Sequence, residues 1–99
     1  MNNLLPLQQN EEKKRFETQV EDHLLVMEYL LNTQGQIFIT HTEVPEALEG
    51  RGLGGQMAEA VLGYIRDKGW KLFPMCPFLA AHIRKHPEWR DLLAPGASV

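Results

Sequence analysis

The sequence predicts a mixed α+β domain, a sheet with helices packed on it, with elements in the order β-β-β-α-β-α. Two observations carry this. Between Lys14 and Val44 lie three short runs with strand patterning, one alternating, one apolar throughout and one β-branched, and from Gly52 to Lys68 the period changes to 3.6. The first three strands are joined by short turn-rich segments and so are expected to be antiparallel. The third and fourth flank a helix, which makes a βαβ unit with two parallel strands. The chain has 99 residues, room for one domain with its core at about residues 14–93 and a modest buried interior.

Residues 1–9 show no clear period and are interrupted by Pro6, so they read as a tail. Residues 14–20 alternate, with Phe16, Thr18 and Val20 on one side and Arg15, Glu17 and Gln19 on the other. The basic run Lys13-Lys14-Arg15, flanked by Glu11, Glu12 and Glu17, reads as a solvated strand face. Residues 23–31 are apolar on both sides, which predicts a central strand buried on two faces, with His23 at the turn before it. The competing helical reading rests on Leu, Met and Glu as helix formers. The shortness of the stretch and its turn-rich flanks favour the strand. Asn32-Thr33-Gln34-Gly35 is turn chemistry, and residues 36–44 are β-branched and aromatic.

Pro45 ends that strand and a loop follows over residues 46–50. The helix over residues 52–68 carries an apolar stripe of Leu53, Met57, Ala58, Val61, Leu62, Tyr64 and Ile65, and Gly69 is a natural stop. Residues 70–75 predict a fourth strand. Pro77 opens a second helix and Pro87 ends it. Residues 88–99 read as a short helical turn, over residues 88–93, and a frayed end.

Charge and cysteine content exclude several classes. Ten Lys+Arg against 13 Asp+Glu give a net charge of -3, without the basic excess of a dedicated nucleic-acid binder. The single cysteine, Cys76, cannot close an internal disulfide. Asn2, Asn3, Glu11 and Glu12 leave no apolar signal core, and the longest purely apolar run, Leu24-Leu25-Val26-Met27, is far too short to span a bilayer. The expectation is a soluble cytoplasmic protein, a monomer or weak homo-oligomer, with no nucleic-acid or membrane partner.

The richest motif is Glu49-Gly50-Arg51-Gly52-Leu53-Gly54-Gly55, at the handover from strand to helix. Four glycines are costly at a helix start. In return they bare backbone N–H groups to a phosphate, with the helix dipole and Arg51 adding attraction. Three readings compete. One is a flexible loop that permits tight packing. A second is a dinucleotide fingerprint, which fails because residues 45–49 intervene after the strand and the next strand ends in Met75-Cys76 rather than an acidic residue. The third is a pyrophosphate cradle. A Walker loop is excluded, because no Gly-Lys-Ser/Thr follows.

Residues 44–56, residues 70–78 and His86-Pro87-Glu88-Trp89 together resemble the GNAT superfamily of acetyl-CoA-dependent acyltransferases, and more narrowly its miniature single-domain YjdJ-type branch. The likeness lies in the His-Thr-Glu-Val-Pro strand end, the Gly-Arg-Gly loop, the Cys-Pro-Phe turn and the His-Pro-Glu-aromatic tail. It spans residues 14–93. It implies acetyl-CoA as cofactor and an amine as acceptor. It also implies a coenzyme A site made from the backbone of Glu43 and Val44 and from Gly50, Arg51, Gly52, Leu53, Gly54, Gly55 and Gln56. In the superfamily motif Q/R-x-x-G-x-G/A, Gly52 and Gly54 take the glycine places. Glu49 falls on the polar first place, a departure for which Arg51 is the substitute.

Cys76 precedes Pro77 at the start of the second helix, where a thiolate is stabilised by the helix N-terminus. Next to a thioester it serves as acetyl acceptor or as proton donor to the leaving thiolate. The plain alternative is a buried packing cysteine. His41 and Glu43 fall on one face of their strand, so His41 is the candidate general base towards an amine. Hydrogen bonding within the sheet is the plain alternative. Phe78 either walls the cofactor arm or packs in the core. Trp70 and Trp89 read as core or lid aromatics. His82 and His86 lie four residues apart and Cys76 would make a third ligand, but no fourth is evident and Cys76 sits a turn and a half from His82, so no metal site is expected. The leading expectation is an N-acetyltransferase. The alternatives are a coenzyme A-binding module with little or no turnover and an interaction domain without ligand.

Overall fold

The computed structural model describes residues 6–99, so residues 1–5 of the expected tail lie outside the described residues. Five strands form one sheet in chain order: β1 (Gln8–Asn10), β2 (Arg15–Val20), β3 (His23–Leu31), β4 (Gln36–Glu43) and β5 (Lys71–Pro74). The first four pair antiparallel and β4 pairs with β5 in parallel. Helix α1 (Leu53–Lys68) makes the parallel crossover, and α2 (Pro77–Lys85) follows β5. The expected mixed α+β order and pairing are therefore present, with one strand more.

That strand corrects the tail. Gln8-Gln9-Asn10 has no apolar signal, and it is fixed by distant polar groups instead. The Gln9 amide donates to the Tyr29 hydroxyl at 2.7 Å and accepts from the Tyr64 hydroxyl at 2.6 Å. It thereby links the sheet edge to α1. Lys13 and Lys14 lie in the turn between β1 and β2, with Lys14 at φ 55°, rather than on a strand face. His23 opens β3 opposite Val20 instead of sitting in the turn. Burial on both faces of β3 is confined to Leu25, Val26 and Met27, while Leu24, Leu30 and Leu31 are exposed. Both helices pack on one face, so the opposite face of the sheet keeps only partial cover. There Phe38 and Phe73 stack on each other with ring centroids 4.7 Å apart.

The core lies between the helix-bearing face and α1 and α2. It includes Phe16, Met27, Ile37, Ile39, Met57, Leu62, Ile65, Leu72, Leu79 and Ile83, all fully buried. Pro77 starts α2 without losing a needed donor. Gly69 ends α1 in the left-handed region and returns its N–H to Ile65 and Arg66. The end of the chain is less frayed than expected. A 3-10 turn (Pro87–Leu92) is followed by a bridge between Leu72 and Leu93, and the Ala94 N–H bonds Leu72 O at 2.9 Å. This extends the sheet beyond β5 and buries Leu92 and Ala94.

One local ion pair gives a pH signature. The Arg15 side chain donates to Glu17 at 2.6 Å and holds its carboxyl below the usual glutamate range. Burial opposes the shift and Asn10 adds a further hydrogen bond. A carboxylate whose pKa is lower in the folded state stabilises above its unfolded pKa and loses that contribution as pH falls through the folded value. Glu17→Gln is expected to cost about 0.5–1 kcal/mol at neutral pH and almost nothing once the carboxyl is protonated, as read by urea denaturation across that range.

Candidate functional site

The pairing of β4 with β5 stops at Ile39 opposite Pro74. Three local features cause this. Pro74 has no N–H for a further ladder bond. The chain after it turns away, with the N–H groups of Met75 and Cys76 both reaching Ile39 O, at 2.9 and 3.0 Å. On the other side of β4 a bulge intervenes: Glu28 faces His41 but Tyr29 faces Ile39, leaving Thr40 as the extra residue. Beyond Ile39 the two parallel strands splay, and the edge of β4 that β5 would have covered is left open.

A cleft of about 520 Å³ fills the splay. Thr42, Glu43 and Val44 line one wall, Phe78 of α2 another, and Leu48, Glu49, Gly50, Gly52, Leu53, Gly54 and Gly55 the floor. The floor is the start of α1. Gly52 is its N-cap at φ 74°, offers no capping side chain, and no acidic residue stands in the first turn. The first intrahelical bond runs from the Gln56 N–H to Gly52 O. The N–H groups of Leu53, Gly54 and Gly55 therefore have no partner along the helix, and the positive end of the helix dipole is uncompensated.

The glycines differ in what requires them. Gly50 and Gly52 adopt φ of 83° and 74°, which side chains resist. At Gly54 a Cβ would stand 2.9 Å from Phe78 Cζ and 3.3 Å from Val44 Cγ2. Gly55 has neither reason: its backbone is ordinary helix and a Cβ there would meet nothing within 4 Å. Glycine at that place costs the helix up to about 1 kcal/mol relative to alanine and leaves the cleft floor bare.

Cys76 is the N-cap of α2 and is buried, 4% exposed. Its thiol donates to Thr42 Oγ1 at 3.1 Å, and Thr42 is the residue that faces the cleft. Thr42 did not stand out in the sequence, although the alternation that puts His41 and Glu43 on one face of β4 puts Thr42 on the other. His41 and Glu43 lie on the less covered face, half or more exposed, with His41 Nε2 3.6 Å from Glu43 Oε1. Leu48 is a further lining residue with no motif to mark it, and Glu49 lines the cleft from the first place of the glycine motif.

The profile of the GCN5-related N-acetyl-transferase family matches residues 15–92. The chain belongs to the GCN5-related N-acetyltransferase family. Among curated relatives it is similar to Protein NATD1 of Homo sapiens, 31% identical over 59 residues covering 58% of this chain and 52% of that protein. Protein NATD1 of Mus musculus is 29% identical over 59 residues, covering 58% and 54%. The chain spans about half the length of these relatives. A solution NMR structure of a GCN5-like protein from Staphylococcus aureus shares the fold with a TM-score of 0.69 at 23% identity, covering 94% of this chain and 91% of that one.

In this GCN5-related chain, eight of the ten residues expected to hold a cofactor, Glu43, Val44, Gly50, Gly52, Leu53, Gly54, Gly55 and Phe78, line the cleft. Arg51 and Gln56 are not in its lining. Arg51 sits at the surface, with its guanidinium 3.0 Å from Glu21 in the turn between β2 and β3. His82 and His86 are brought together with Glu59 of α1, not with Cys76. Trp89 closes on the same carboxylate, donating its indole N–H at 2.9 Å. No helix among the described residues is long and apolar enough to cross a membrane.

Proposed function

We propose that the chain is one domain that binds acetyl-CoA in the splay between β4 and β5 and transfers the acetyl group to an amine. The observation that carries this is the uncapped, glycine-bared start of α1. Gly55 in particular has no packing or backbone reason to lack a side chain. Such a helix start accepts a pyrophosphate on its free N–H groups. The open edge of β4 at Glu43 and Val44 offers backbone groups to an extended amide-bearing arm, in the manner of an added strand. Phe78 and Val44 supply its apolar wall.

Bound acetyl-CoA supplies an activated acyl carbonyl and a thiolate leaving group. The chain supplies the proton inventory around it. On the inner wall the Thr42 hydroxyl holds a proton at the cleft surface, and the Cys76 thiol behind it donates into the same oxygen. With acetyl-CoA bound, Thr42 would hold its hydroxyl proton towards the leaving thiolate, Cys76 would resupply that proton, and solvent entering the cleft would restore the thiol. Burial of Cys76 behind Thr42 supports this relay over direct acetylation of the thiol. On the outer face the exposed His41 imidazole, beside Glu43, takes the proton released by the amine. Arg51 reaches the phosphates by leaving Glu21, an exposed pair worth well under about 1 kcal/mol.

Calorimetric titration with acetyl-CoA tests the reading. Binding is expected at one site, about three- to tenfold weaker in Arg51→Ala with an unchanged melting temperature. Steady acetylation of an amine panel is expected to fall at least tenfold in Thr42→Val. No acetyl adduct is expected on Cys76 by mass spectrometry. Absence of acetyl-CoA binding overturns the assignment. Binding without turnover on any amine favours a coenzyme A-binding module, a reading supported by the sparse cover on the sheet face that carries His41.

A further inference from the structure

Outside the cleft, the densest cluster of chemistry-bearing side chains joins α1, α2 and the turn that follows α2. Glu59 extends from the middle of α1. His82 stands in the last turn of α2, and His86 caps that helix one turn on. One ligand atom from each of the three lies within 4.8 Å of the others. The rings of His82 and His86 are 4.3 Å apart, and His82 Nε2 donates to Glu59 Oε2 at 2.7 Å. The His82 side chain is 10% exposed and that of Glu59 33%, so the cluster is half-sheltered, with a route to solvent. The Glu59 carboxylate accepts hydrogen bonds from both His82 and Trp89.

We infer that Glu59, His82 and His86 form a site for one zinc ion, which links α1 to both ends of the His-Ile-Arg-Lys-His stretch. Two imidazoles and one carboxylate are a ligand set of zinc, and a water completes four-coordination. Histidines four residues apart project from one side of a helix end, as two ligands to one ion must. Glu59 comes from another element, so the ion closes a contact between helices rather than within one. The Trp89 indole N–H on Glu59 Oε2 supplies the outer hydrogen bond that orients a ligating carboxylate. Arg66 lies with its guanidinium carbon 4.5 Å over the Trp89 ring and is paired with Asp91, so its charge is balanced away from the site.

Insertion requires a small movement. Zinc at about 2.0–2.1 Å from each ligand in tetrahedral geometry sets the nitrogen and oxygen roughly 3.3 Å apart, against the 2.7 Å of the present hydrogen bond. Rotation of the Glu59 carboxyl or the His82 ring covers that difference, and the His86 ring must close in as well, from a separation within 4.8 Å. The proton between them leaves to solvent as the ion enters, and the ion exchanges its hydration waters, all but one, for bonds to the two imidazole nitrogens and the carboxylate oxygen. The ion therefore adds a tie between the His-Pro-Glu-Trp turn and α1, beside the hydrogen bonds, the Arg66 contacts and the packing of Trp89 already there.

The test is zinc chloride titrated into the full chain after removal of metal with EDTA, read by competition with a chromophoric chelator and by thermal unfolding. The expected result is one zinc per chain at micromolar affinity or tighter, with a melting temperature that rises with zinc. His86→Ala and Glu59→Gln are each expected to weaken binding at least tenfold. Glu59→Gln keeps an acceptor for both His82 and Trp89 and serves if His86→Ala does not fold. Cobalt in place of zinc is expected to give a four-coordinate visible spectrum without a thiolate charge-transfer band. No displacement of the chelator, equal affinity in wild type and Glu59→Gln, or a thiolate band that places the ion on Cys76 each overturns the site.

Discussion

Gly54→Val is expected to weaken acetyl-CoA binding by a hundredfold or more, equivalent to about 2.7 kcal/mol, and to leave the fold standing. The backbone at Gly54 is ordinary helix, so a side chain there is not excluded by φ. It is excluded by what stands opposite. A Cβ would lie 2.9 Å from the tip of the Phe78 ring and 3.3 Å from a Val44 methyl. Val44 is on the strand end that forms the cleft wall and has little freedom. Phe78 is 41% exposed and able to swing, and the space beside it is the cleft. Two branched methyls at position 54 then occupy the channel between Val44 and Phe78 that the cofactor arm needs. Valine gains only roughly 0.3 kcal/mol of helix propensity over glycine, so the clash is relieved chiefly by Phe78 swinging into the cleft, and affinity falls far more than melting temperature. Gly55→Ala is the contrasting change. It meets nothing within 4 Å, is expected to stabilise by about 0.5–1 kcal/mol, and any loss of affinity there reports the bare backbone alone. Wild-type affinity in Gly54→Val, by calorimetry, counts against the cleft as the cofactor site.

The same residues show what a sequence can disclose. The change of period at Gly52 marked α1, and the glycine run marked its start as bare backbone, because both signals are local. The order and direction of β2 to β5 followed from short turns on one side and a helix on the other. What stayed hidden was set at long range. β1 is polar, and its place depends on the Gln9 amide meeting Tyr29 and Tyr64, 20 and 55 residues away. The last segment is pinned by Ala94 on Leu72, a partner no periodicity announces. Thr42 lies inside the His-Thr-Glu-Val-Pro strand end with nothing there to single it out, and becomes a wall of the cleft only because the Thr40 bulge and Pro74 end the parallel ladder above it. Glu59 lies outside the apolar stripe of α1, so no local signal marks it. Its neighbours are supplied by α2 and by the turn beyond.

Phe16→Ala is expected to cost about 3–5 kcal/mol of stability, the largest single effect on the fold. Phe16 is fully buried on β2. Its ring lies 5.0 Å from that of Tyr29 and 5.3 Å from that of Tyr64, the latter edge-on. Those two tyrosines are the groups that Gln9 joins, so Phe16 is the apolar support beneath a polar bridge from β1 to α1. Removing the ring opens a cavity between sheet and helix that the flanking Met27, itself fully buried on β3, fills only in part. A domain of this size has roughly 5–15 kcal/mol in total, and each kilocalorie moves the melting temperature by roughly 4–8 °C. A fall of about 12 °C or more is therefore expected, with an urea midpoint that drops at constant slope. The bridge makes a sharper test than the size of the loss. Tyr64→Phe removes only the bond to Gln9 and is expected to cost about 1 kcal/mol in the wild-type chain. If Phe16 holds both tyrosines in place, the same change costs markedly less once Phe16 is alanine, because the bridge is already loose. Equal costs in the two backgrounds would mean that Gln9 fixes β1 without help from the core below it.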